Sequence, residues 1–189
     1  MSWETTISSA LAGKAKGLAS DATPAAMDNE QFAAFYARSA RSLWAYLARV
    51  SRDAALADDL TQESYVRFLC ATVPQEGEVA ARRYLFKIAS NLLRDYWRKP
   101  QSASLEEMPE DVFAVRCDGA AQTEMQVMLT PAMAQMRPRD RQLLWLAYAE
   151  GYSHREIAEV TGLGAASIRL LLFRARRKMA QLLRKEGEA

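Results

Sequence analysis

The fold of this chain is decided by the stretch SHREIAEVTGLGAASIRLLLFRARRK, which runs from Ser153 to Lys178. Ser153 and Glu156 form a capping box, in which each side chain satisfies a backbone N–H that the first helical turn leaves free. The Gly162–Gly164 stretch then supplies a turn that ends this short helix. From Ala165 to Arg184, apolar residues recur at three- and four-residue steps, which predicts a second helix.

The second helix is strongly basic, since residues 168–185 contain seven Lys and Arg and no acid. A helix built only for solubility normally interleaves charges of both signs. The pattern therefore favours a helix-turn-helix that lays its second helix in the DNA major groove over a hairpin with a solvated charged face. The predicted DNA-binding residues of this unit are Ser153, His154, Arg155, Ser167, Arg169, Arg174 and Arg177. The alternative for His154, the only histidine, is a plain surface residue.

Three further helices are predicted towards the amino terminus. Asp28 and Asp53 are placed to cap the first two, and the third runs from about Val79 to Lys99, where Pro100 ends it. The apolar side of the second of these helices is read from Leu56, Leu60, Val66 and Leu69. Because no stretch alternates with a period of two residues, the predicted fold class is all-α with no sheet.

The net charge of +2 conceals a segregated distribution. Residues 82–99 are basic, residues 106–124 are acidic, and the final helix is basic again. This order indicates two units that bind a polyanion, joined by a segment that avoids it. The predicted organisation is a flexible tail over residues 1–27, a helical domain over 28–99, a flexible acidic linker over 100–122 and a helix-turn-helix domain over 123–185.

Several classes of protein are disfavoured by the same sequence. Cys70 and Cys117 lack a CxxC or Cys/His companion, so neither a metal site nor a disulfide is expected, and a reducing cytoplasm is the simpler location. We find no apolar run long enough for membrane insertion and no internal repeat. The sequence has no P-loop, no metal-ligand cluster and no nucleophile paired with a base. We therefore expect no cofactor and no enzymatic activity.

At this point both halves resemble a bacterial extracytoplasmic-function (ECF) sigma factor, which keeps only the second and fourth conserved regions of the sigma-70 superfamily. In the amino-terminal half the matching stretches are ADDLTQESY from Ala57 to Tyr65 and YLFKIASNLLRDYWRK from Tyr84 to Lys99. In the carboxy-terminal half they are GYS from Gly151, EIA from Glu156 and FRAR from Phe173. Each motif is weak alone, but their order and spacing together are specific.

The resemblance implies a role for two helices of the amino-terminal half. The helix with the acidic motif would dock on the coiled coil of the polymerase clamp, through Asp58, Asp59, Gln62 and Glu63. The basic helix would read and open the downstream (−10) promoter element, through Tyr84, Lys87, Asn91, Arg94, Tyr96, Trp97, Arg98 and Lys99. For each of the three aromatic residues, packing in the core is an equally good interpretation. Asp95 is expected to pair with a nearby arginine.

The resemblance also implies partners and further sites. The partners are core RNA polymerase, contacted at its clamp and flap, promoter DNA, and an inhibitory anti-sigma factor. The loop from Cys70 to Gly77 would capture an extruded base, and the acidic linker would lie toward the RNA exit path unless it is a plain solvated connection. The sequence departs from the family at Leu170 and Leu171, where polar and basic residues are usual, and at Tyr84, where tryptophan is usual. The two leucines could face the core, DNA or a protein partner.

The function expected from this resemblance is that of an alternative sigma factor, which binds core polymerase and directs recognition of the upstream (−35) and downstream promoter elements and DNA melting. One alternative is a helix-turn-helix regulator that binds operator DNA by itself. Such a regulator has no need of the helix carrying Asp59 and Gln62, or of the basic-aromatic helix before Pro100. A second alternative, a recombinase-like enzyme, is disfavoured because no carboxylate cluster or activated Ser or Tyr is evident.

Overall fold

A computed structural model describes residues 27–71, 77–98 and 124–187 of the chain. Within these ranges all regular structure is helical, in seven α-helices. Their bounds are α1 Asn29–Ser51, α2 Ala54–Cys70, α3 Glu78–Arg98, α4 Glu124–Ala134, α5 Pro138–Tyr148, α6 His154–Thr161 and α7 Ala165–Gly187. The expected tail, the acidic linker, Lys99 and most of the Cys70–Gly77 loop lie outside the described residues. None of the described helices is long and apolar enough to cross a membrane.

The amino-terminal helices begin where the sequence predicts. Asp28 accepts a hydrogen bond from the backbone N–H of Gln31 at 2.8 Å, and the Gln31 side chain accepts one in return from the Asp28 N–H, which completes a capping box at α1. The Asp53 carboxylate caps α2 by accepting from Leu56 N–H at 2.9 Å. These bonds satisfy donors that a first helical turn leaves unpaired.

Helices α1, α2 and α3 form the amino-terminal unit, with its core between them. Buried aromatic rings fill that core, including the stacked pair Phe35 and Phe68, whose centroids are 5.1 Å apart. The buried face of α2 corrects the prediction from the sequence. It is made of small, polar and aromatic residues, while Leu56, Leu60 and Leu69 are half-buried and Val66 is 47% exposed; the buried residues are Ala54, Ala57, Thr61, Ser64, Tyr65 and Phe68. The leucines thus lie at the flanks of the buried face of α2 and not at its centre.

Helices α4 to α7 form the carboxy-terminal unit, and it packs directly on the amino-terminal unit. The main packing between the two units joins α3 to α6 and α1 to α5. Arg141 of α5 is buried and donates to Val50 O, at the carboxyl end of α1, from Nε at 3.1 Å and from Nη2 at 2.7 Å. A cation is favourable at this position because the last carbonyls of a helix carry partial negative charge.

A second buried contact between the units centres on Tyr46. Its hydroxyl oxygen accepts a hydrogen bond from Gln142 Nε2 of α5 at 2.7 Å and is hydrogen-bonded to Ser90 Oγ of α3 at 2.7 Å. Burial raises the pKa of Tyr46 to about 12, because the phenolate would lose its hydration. The hydroxyl therefore stays neutral and joins α1, α3 and α5 at one point.

Candidate nucleic-acid interface

The helix-turn-helix consists of α6, the turn at Gly162 and α7. Ser153 Oγ accepts from the Glu156 backbone N–H at 3.3 Å, and the Glu156 carboxylate accepts from the Ser153 N–H at 2.9 Å, so the predicted capping box is present. The Glu156 carboxylate also accepts from Ser153 Oγ at 2.8 Å, and the two bonds that it accepts from Ser153 lower the pKa of this carboxyl because they favour its charged form. Gly162 ends α6 in the left-handed region with φ +68, a conformation that glycine adopts without a steric penalty.

The buried side of α7 fixes which of its residues face outward. Ile168, Leu172, Ala175 and Leu182 are buried against the rest of the unit. The seven residues that the sequence predicts for this DNA-binding surface are exposed, namely Ser153, His154, Arg155, Ser167, Arg169, Arg174 and Arg177. All seven are therefore accessible to solvent, and the Ser153 hydroxyl also serves the cap of α6.

The two leucines that depart from the family pattern have different environments. Leu171 is half-buried and packs against the core. Leu170 is 51% exposed and lies on the outward side of α7. Phe173, one turn farther along, is also exposed, at 53%. Sequence reasoning missed Phe173, whose periodic position on the outward face could have identified it.

Helix α3 presents one polar and basic face. Tyr84, Lys87, Asn91, Arg94 and Arg98 are spaced by three and four residues, which places them on the same side of a helix. Lys87, Arg94 and Arg98 are exposed, whereas Tyr84 and Asn91 are half-buried. The Tyr84 ring centroid lies 6.2 Å from that of Phe68, so this side chain is also part of the core packing. Five of the eight predicted residues of α3 are therefore brought together.

The remaining predicted residues of this helix do not join that face. At about 100° per residue, Tyr96 and Trp97 point away from the row that contains Asn91 and Arg98. Tyr96 is half-buried and Trp97 is 37% exposed. Lys99 lies outside the described residues. The expected pairing of Asp95 is confirmed, since its carboxylate accepts from Arg98 Nη2 at 3.0 Å.

Part of the basic face of α3 is occupied by α6. Arg94 Nη2 donates to Thr161 O, at the carboxyl end of α6, at 2.8 Å and to Asn91 Oδ1 at 2.9 Å. Tyr84 and Lys87 line a groove of about 210 Å³ together with Glu159 and Val160 of α6. In this arrangement the face predicted to bind the downstream element is partly covered by the helix-turn-helix unit.

Ion pairs surround the same contact between α3 and the carboxy-terminal unit. Arg83 pairs with Glu159 at 3.2 Å and with Glu156 at 3.4 Å. Arg82 pairs with the Glu150 carboxylate, which is buried. Both arginines belong to the basic stretch recognised in the sequence, but no pattern in the sequence identified their partners 68 to 76 residues away.

The acidic motif of α2 lies beside a groove between α1 and α2. The groove has a volume of about 370 Å³, and its apolar wall includes Tyr36, Trp44, Val66 and Leu69. Asp58 and Gln62 lie at its edge, and Asp58 Oδ1 accepts from Trp44 Nε1 at 2.8 Å. Asp59 and Gln62 are exposed, and Glu63 pairs with Arg67 at 2.6 Å. Thr61 also lines the groove, and its buried hydroxyl has no hydrogen-bond partner within the described part of the chain.

A second apolar groove lies mainly in the carboxy-terminal unit, and Arg49 of α1 also lines it. It has a volume of about 510 Å³ and is bordered by α4, α5 and the carboxy-terminal half of α7. Met133, Trp145 and Met179 contribute to its lining, and Arg49 and Arg176 stand at its rim. Among the described residues, no group of three or more His, Cys, Asp or Glu side chains could hold a metal ion.

Comparison with protein families gives one match in each unit. The model of sigma-70 region 2 matches residues 35–103. The model of sigma-70 region 4 matches residues 126–179. The first match contains α2 and α3, and the second contains α6 and α7 as far as residue 179.

Individual relatives agree with these matches. The ECF RNA polymerase sigma factor SigC of Mycobacterium tuberculosis (strain CDC 1551 / Oshkosh) is 30% identical over 149 residues, which cover 76% of this chain and 78% of that protein. The RNA polymerase sigma factor CarQ of Myxococcus xanthus is 28% identical over 156 residues, which cover 82% and 90% of the two chains.

Solved structures share the fold. The sigma factor RpoE of Bartonella quintana, in complex with the anti-sigma factor NepR, superposes with a TM-score of 0.63 at 19% identity and covers 82% of this chain and 98% of its own. CnrH in complex with the cytosolic domain of CnrY gives a TM-score of 0.59 at 21% identity, with 84% and 90% covered. Together with the sequence relatives, these matches show that the chain belongs to the extracytoplasmic-function group of the sigma-70 family of RNA polymerase sigma factors.

Proposed function

We propose that this protein is an alternative sigma factor that binds core RNA polymerase and directs it to a subset of promoters. One observation carries the proposal: the same small helical unit has both a mostly apolar groove lined in part by Asp58 and Gln62 and the basic face of α3. A regulator that binds operator DNA by itself uses its helix-turn-helix and needs neither feature. The proposed role places the protein in the cytoplasm, with its polymerase, and involves no covalent change to DNA.

The groove between α1 and α2 suits a helical partner with polar side chains on an apolar face. Its apolar wall offers area for burial, while Asp59 and Gln62 offer directional hydrogen bonds. The Thr61 hydroxyl, buried without a partner in the described chain, would gain one from a docked helix. Following the family resemblance, we assign this groove to the coiled coil of the polymerase clamp.

The apolar groove between α4, α5 and α7 suits a second contact with the polymerase. Its lining includes Leu129, Met133, Leu144 and Met179, which would be removed from water by an apolar helix. The family resemblance makes the polymerase flap the occupant. Two contacts on one partner raise the overall affinity well beyond either contact alone.

The basic face of α3 suits promoter melting. Opening duplex DNA costs on average about 1.4 kcal/mol per stacked step. Tyr84 is the aromatic residue on this face, and a base that stacks on an aromatic ring returns about 1–3 kcal/mol, which biases the equilibrium towards opening. Lys87, Arg94 and Arg98 would hold the backbone, and Asn91 would read a base edge.

The packing of α6 on α3 means that this face is not fully available in this arrangement of the two units. Arg94 is bonded to Thr161 O, and Arg83 is paired with Glu156 and Glu159. We propose that the two units separate when each binds its own site on the polymerase, and that an inhibitory partner acts by holding them together. The solved structures of RpoE and CnrH, which share this fold, both contain another bound protein, NepR and the cytosolic domain of CnrY respectively.

The proposal is tested by capture of purified core polymerase on the immobilised full chain. The double variant Asp59→Ala/Gln62→Ala should bind core at least tenfold more weakly while its circular dichroism stays unchanged. The matched control is Glu30→Ala/Gln181→Ala, which removes one carboxylate and one amide from exposed positions away from the groove. Failure of the wild-type chain to capture core, together with tight binding to duplex DNA on its own, would establish the regulator instead.

A further inference from the structure

The outward face of α7 is apolar at its centre. Ile168, Leu172 and Ala175 are buried, and at about 100° per residue Ala166, Leu170 and Phe173 lie on the opposite side of the helix. Leu170 and Phe173 are about half exposed, and Ala166 is exposed. Exposed apolar side chains that lie together on the outer face of a helix mark a contact surface.

The surroundings of this apolar stripe are cationic. Arg169 lies on one side of it and Arg174 on the other, and Arg177 continues it towards the carboxyl end of α7; all three are exposed. Residues 165–185 contain no carboxylate. An apolar stripe bordered by arginines attracts a polyanion as its binding partner and repels a partner with a basic surface.

The position of the stripe matches the part of a helix-turn-helix that reads base edges. Base contacts come from the amino-terminal residues of the second helix. In the first two turns of α7 the exposed polar residues are Ser167 and Arg169, which leaves Leu170 at the centre of the face. In the major groove the group that matches an exposed leucine or phenylalanine is the C5-methyl of thymine, since the other markers of the base pairs are hydrogen-bond donors and acceptors.

We propose that Leu170 and Phe173 read thymine methyl groups in the upstream promoter element, while Arg169 and Arg174 hold the phosphates on either side. The proposal rests on the proposed function and adds a determinant of promoter choice. It implies an upstream element in which thymines on one or both strands occupy consecutive positions under α7. Recognition of thymine methyl groups by Leu170 would take the place of the polar contact that the family's usual residue makes there.

The experiment uses holoenzyme assembled from the full chain and core polymerase. A duplex library with a randomised upstream block is selected for binding, and the winning duplexes are then made with thymine or with uracil, which lacks the methyl. The expected result is enrichment of thymine and a roughly three- to fivefold loss of affinity for each critical methyl removed, the size expected for one buried methyl or methylene group.

The variants Leu170→Ala and Phe173→Ala should bind the thymine duplex more weakly and should reduce or abolish the difference between thymine and uracil. Both side chains are half exposed, so truncation leaves no large cavity, and circular dichroism checks the fold. The matched control Arg174→Ala should weaken both duplexes equally and keep their ratio.

Three outcomes overturn the inference. Equal affinity of wild-type holoenzyme for thymine and uracil duplexes excludes methyl recognition. An unchanged thymine-to-uracil ratio in both apolar variants shows that other residues read the methyl. Normal DNA binding by the variants with weakened capture of core polymerase would make the stripe a protein contact. Failure of the proposed function is distinguishable, because holoenzyme would then select no upstream sequence beyond what core alone selects.

Discussion

Tyr46 shows how much of this fold depends on a single side chain. Its hydroxyl lies 2.7 Å from both Ser90 Oγ and Gln142 Nε2, and the residue is fully buried. The three residues come from α1, α3 and α5, so the bonds join the amino-terminal unit internally and to its neighbour. Nothing in the spacing of Tyr46, Ser90 and Gln142 reveals the contact in advance, because each looks like an ordinary helical residue.

The first prediction concerns this junction. Tyr46→Phe keeps the ring but leaves Ser90 and Gln142 without their hydrogen-bond partner in a buried site. The free energy of unfolding should fall by about 1–3 kcal/mol, the cost of leaving buried polar groups unsatisfied. Urea denaturation measures it, and Tyr148→Phe at an exposed position is the control. Equal stability of the two variants would show that the junction contributes nothing.

The second prediction is the pH dependence of stability. Burial raises the pKa of Tyr46 from its ordinary value of 10.0 to about 12. Below about pH 10 the hydroxyl is protonated whether the chain is folded or unfolded, so the stabilisation is fully present there. Between about pH 10 and 12 the unfolded chain ionises first, and stability falls by up to about 1.4 kcal/mol per pH unit for this group. Urea denaturation at about pH 9 and about pH 11 should show a smaller decline for Tyr46→Phe than for wild type; an identical decline contradicts the assignment.

At the scale of the helices, sequence patterns predicted some features well and others poorly. The caps at Asp28, Asp53 and Ser153 are present as predicted, because a cap is a local interaction between residues three positions apart. The leucines predicted for the apolar side of α2 lie at the flanks of its buried face, whose centre is made of small, polar and aromatic residues. Val66 and Leu69 line the groove beside Gln62 and not the centre of the core. The spacing of apolar residues did not reveal this groove.

The third prediction concerns the turn between α6 and α7. Gly162 has φ +68, and a Cβ added there would meet Arg94 Nη2 at 3.3 Å. Gly162→Ala should destabilise the protein by about 1–2 kcal/mol, the cost of a left-handed conformation for an L-residue. Thermal unfolding measures the loss. The control is Gly164→Ser, where a Cβ meets only Ser167 Oγ at 3.8 Å, and it should cause no loss. An equally stable Gly162→Ala would mean that the turn is not held in this conformation.

The fourth prediction concerns phosphate contacts from α7. Arg174 and Arg177 are exposed on the outward half of the helix. The double variant Arg174→Ala/Arg177→Ala should weaken binding of the upstream element and lower the slope of log K against log salt by roughly 0.9 for each phosphate that is no longer neutralised. Titrations of holoenzyme with duplex at several salt concentrations give the slope. An unchanged slope would place both arginines off the DNA.

At the scale of the whole molecule, the close packing of the two units is the feature that the sequence did not predict. The basic, acidic and basic segments predicted two units and a connection, but they gave no sign that the units would touch. The contact itself uses backbone acceptors such as Val50 O and Thr161 O, and acceptors of that kind exist at every residue. It also uses Arg94, which the sequence assigned to DNA. Sequence patterns identify a polyanion-binding face but do not show that another part of the chain competes for it.

The fifth prediction concerns this competition. Arg82→Glu/Arg83→Glu replaces attraction to Glu150, Glu156 and Glu159 by repulsion and should separate the two units. Energy transfer between dyes at positions 30 and 181 should then report a longer distance than in wild type. The control Arg38→Glu breaks an exposed pair with Glu78 inside the amino-terminal unit and should leave the distance unchanged. A double variant as compact as wild type would show that the ion pairs do not hold the units together.

The most direct test of the account is transcription in vitro with purified core polymerase on a library of genomic promoter fragments. Core supplemented with this chain should start RNA synthesis at a defined subset of fragments that core alone does not use. The Asp59→Ala/Gln62→Ala variant should lose that activity in proportion to its loss of core binding. RNA synthesis that shows no dependence on the added chain, at any fragment, would contradict the assignment of a sigma factor.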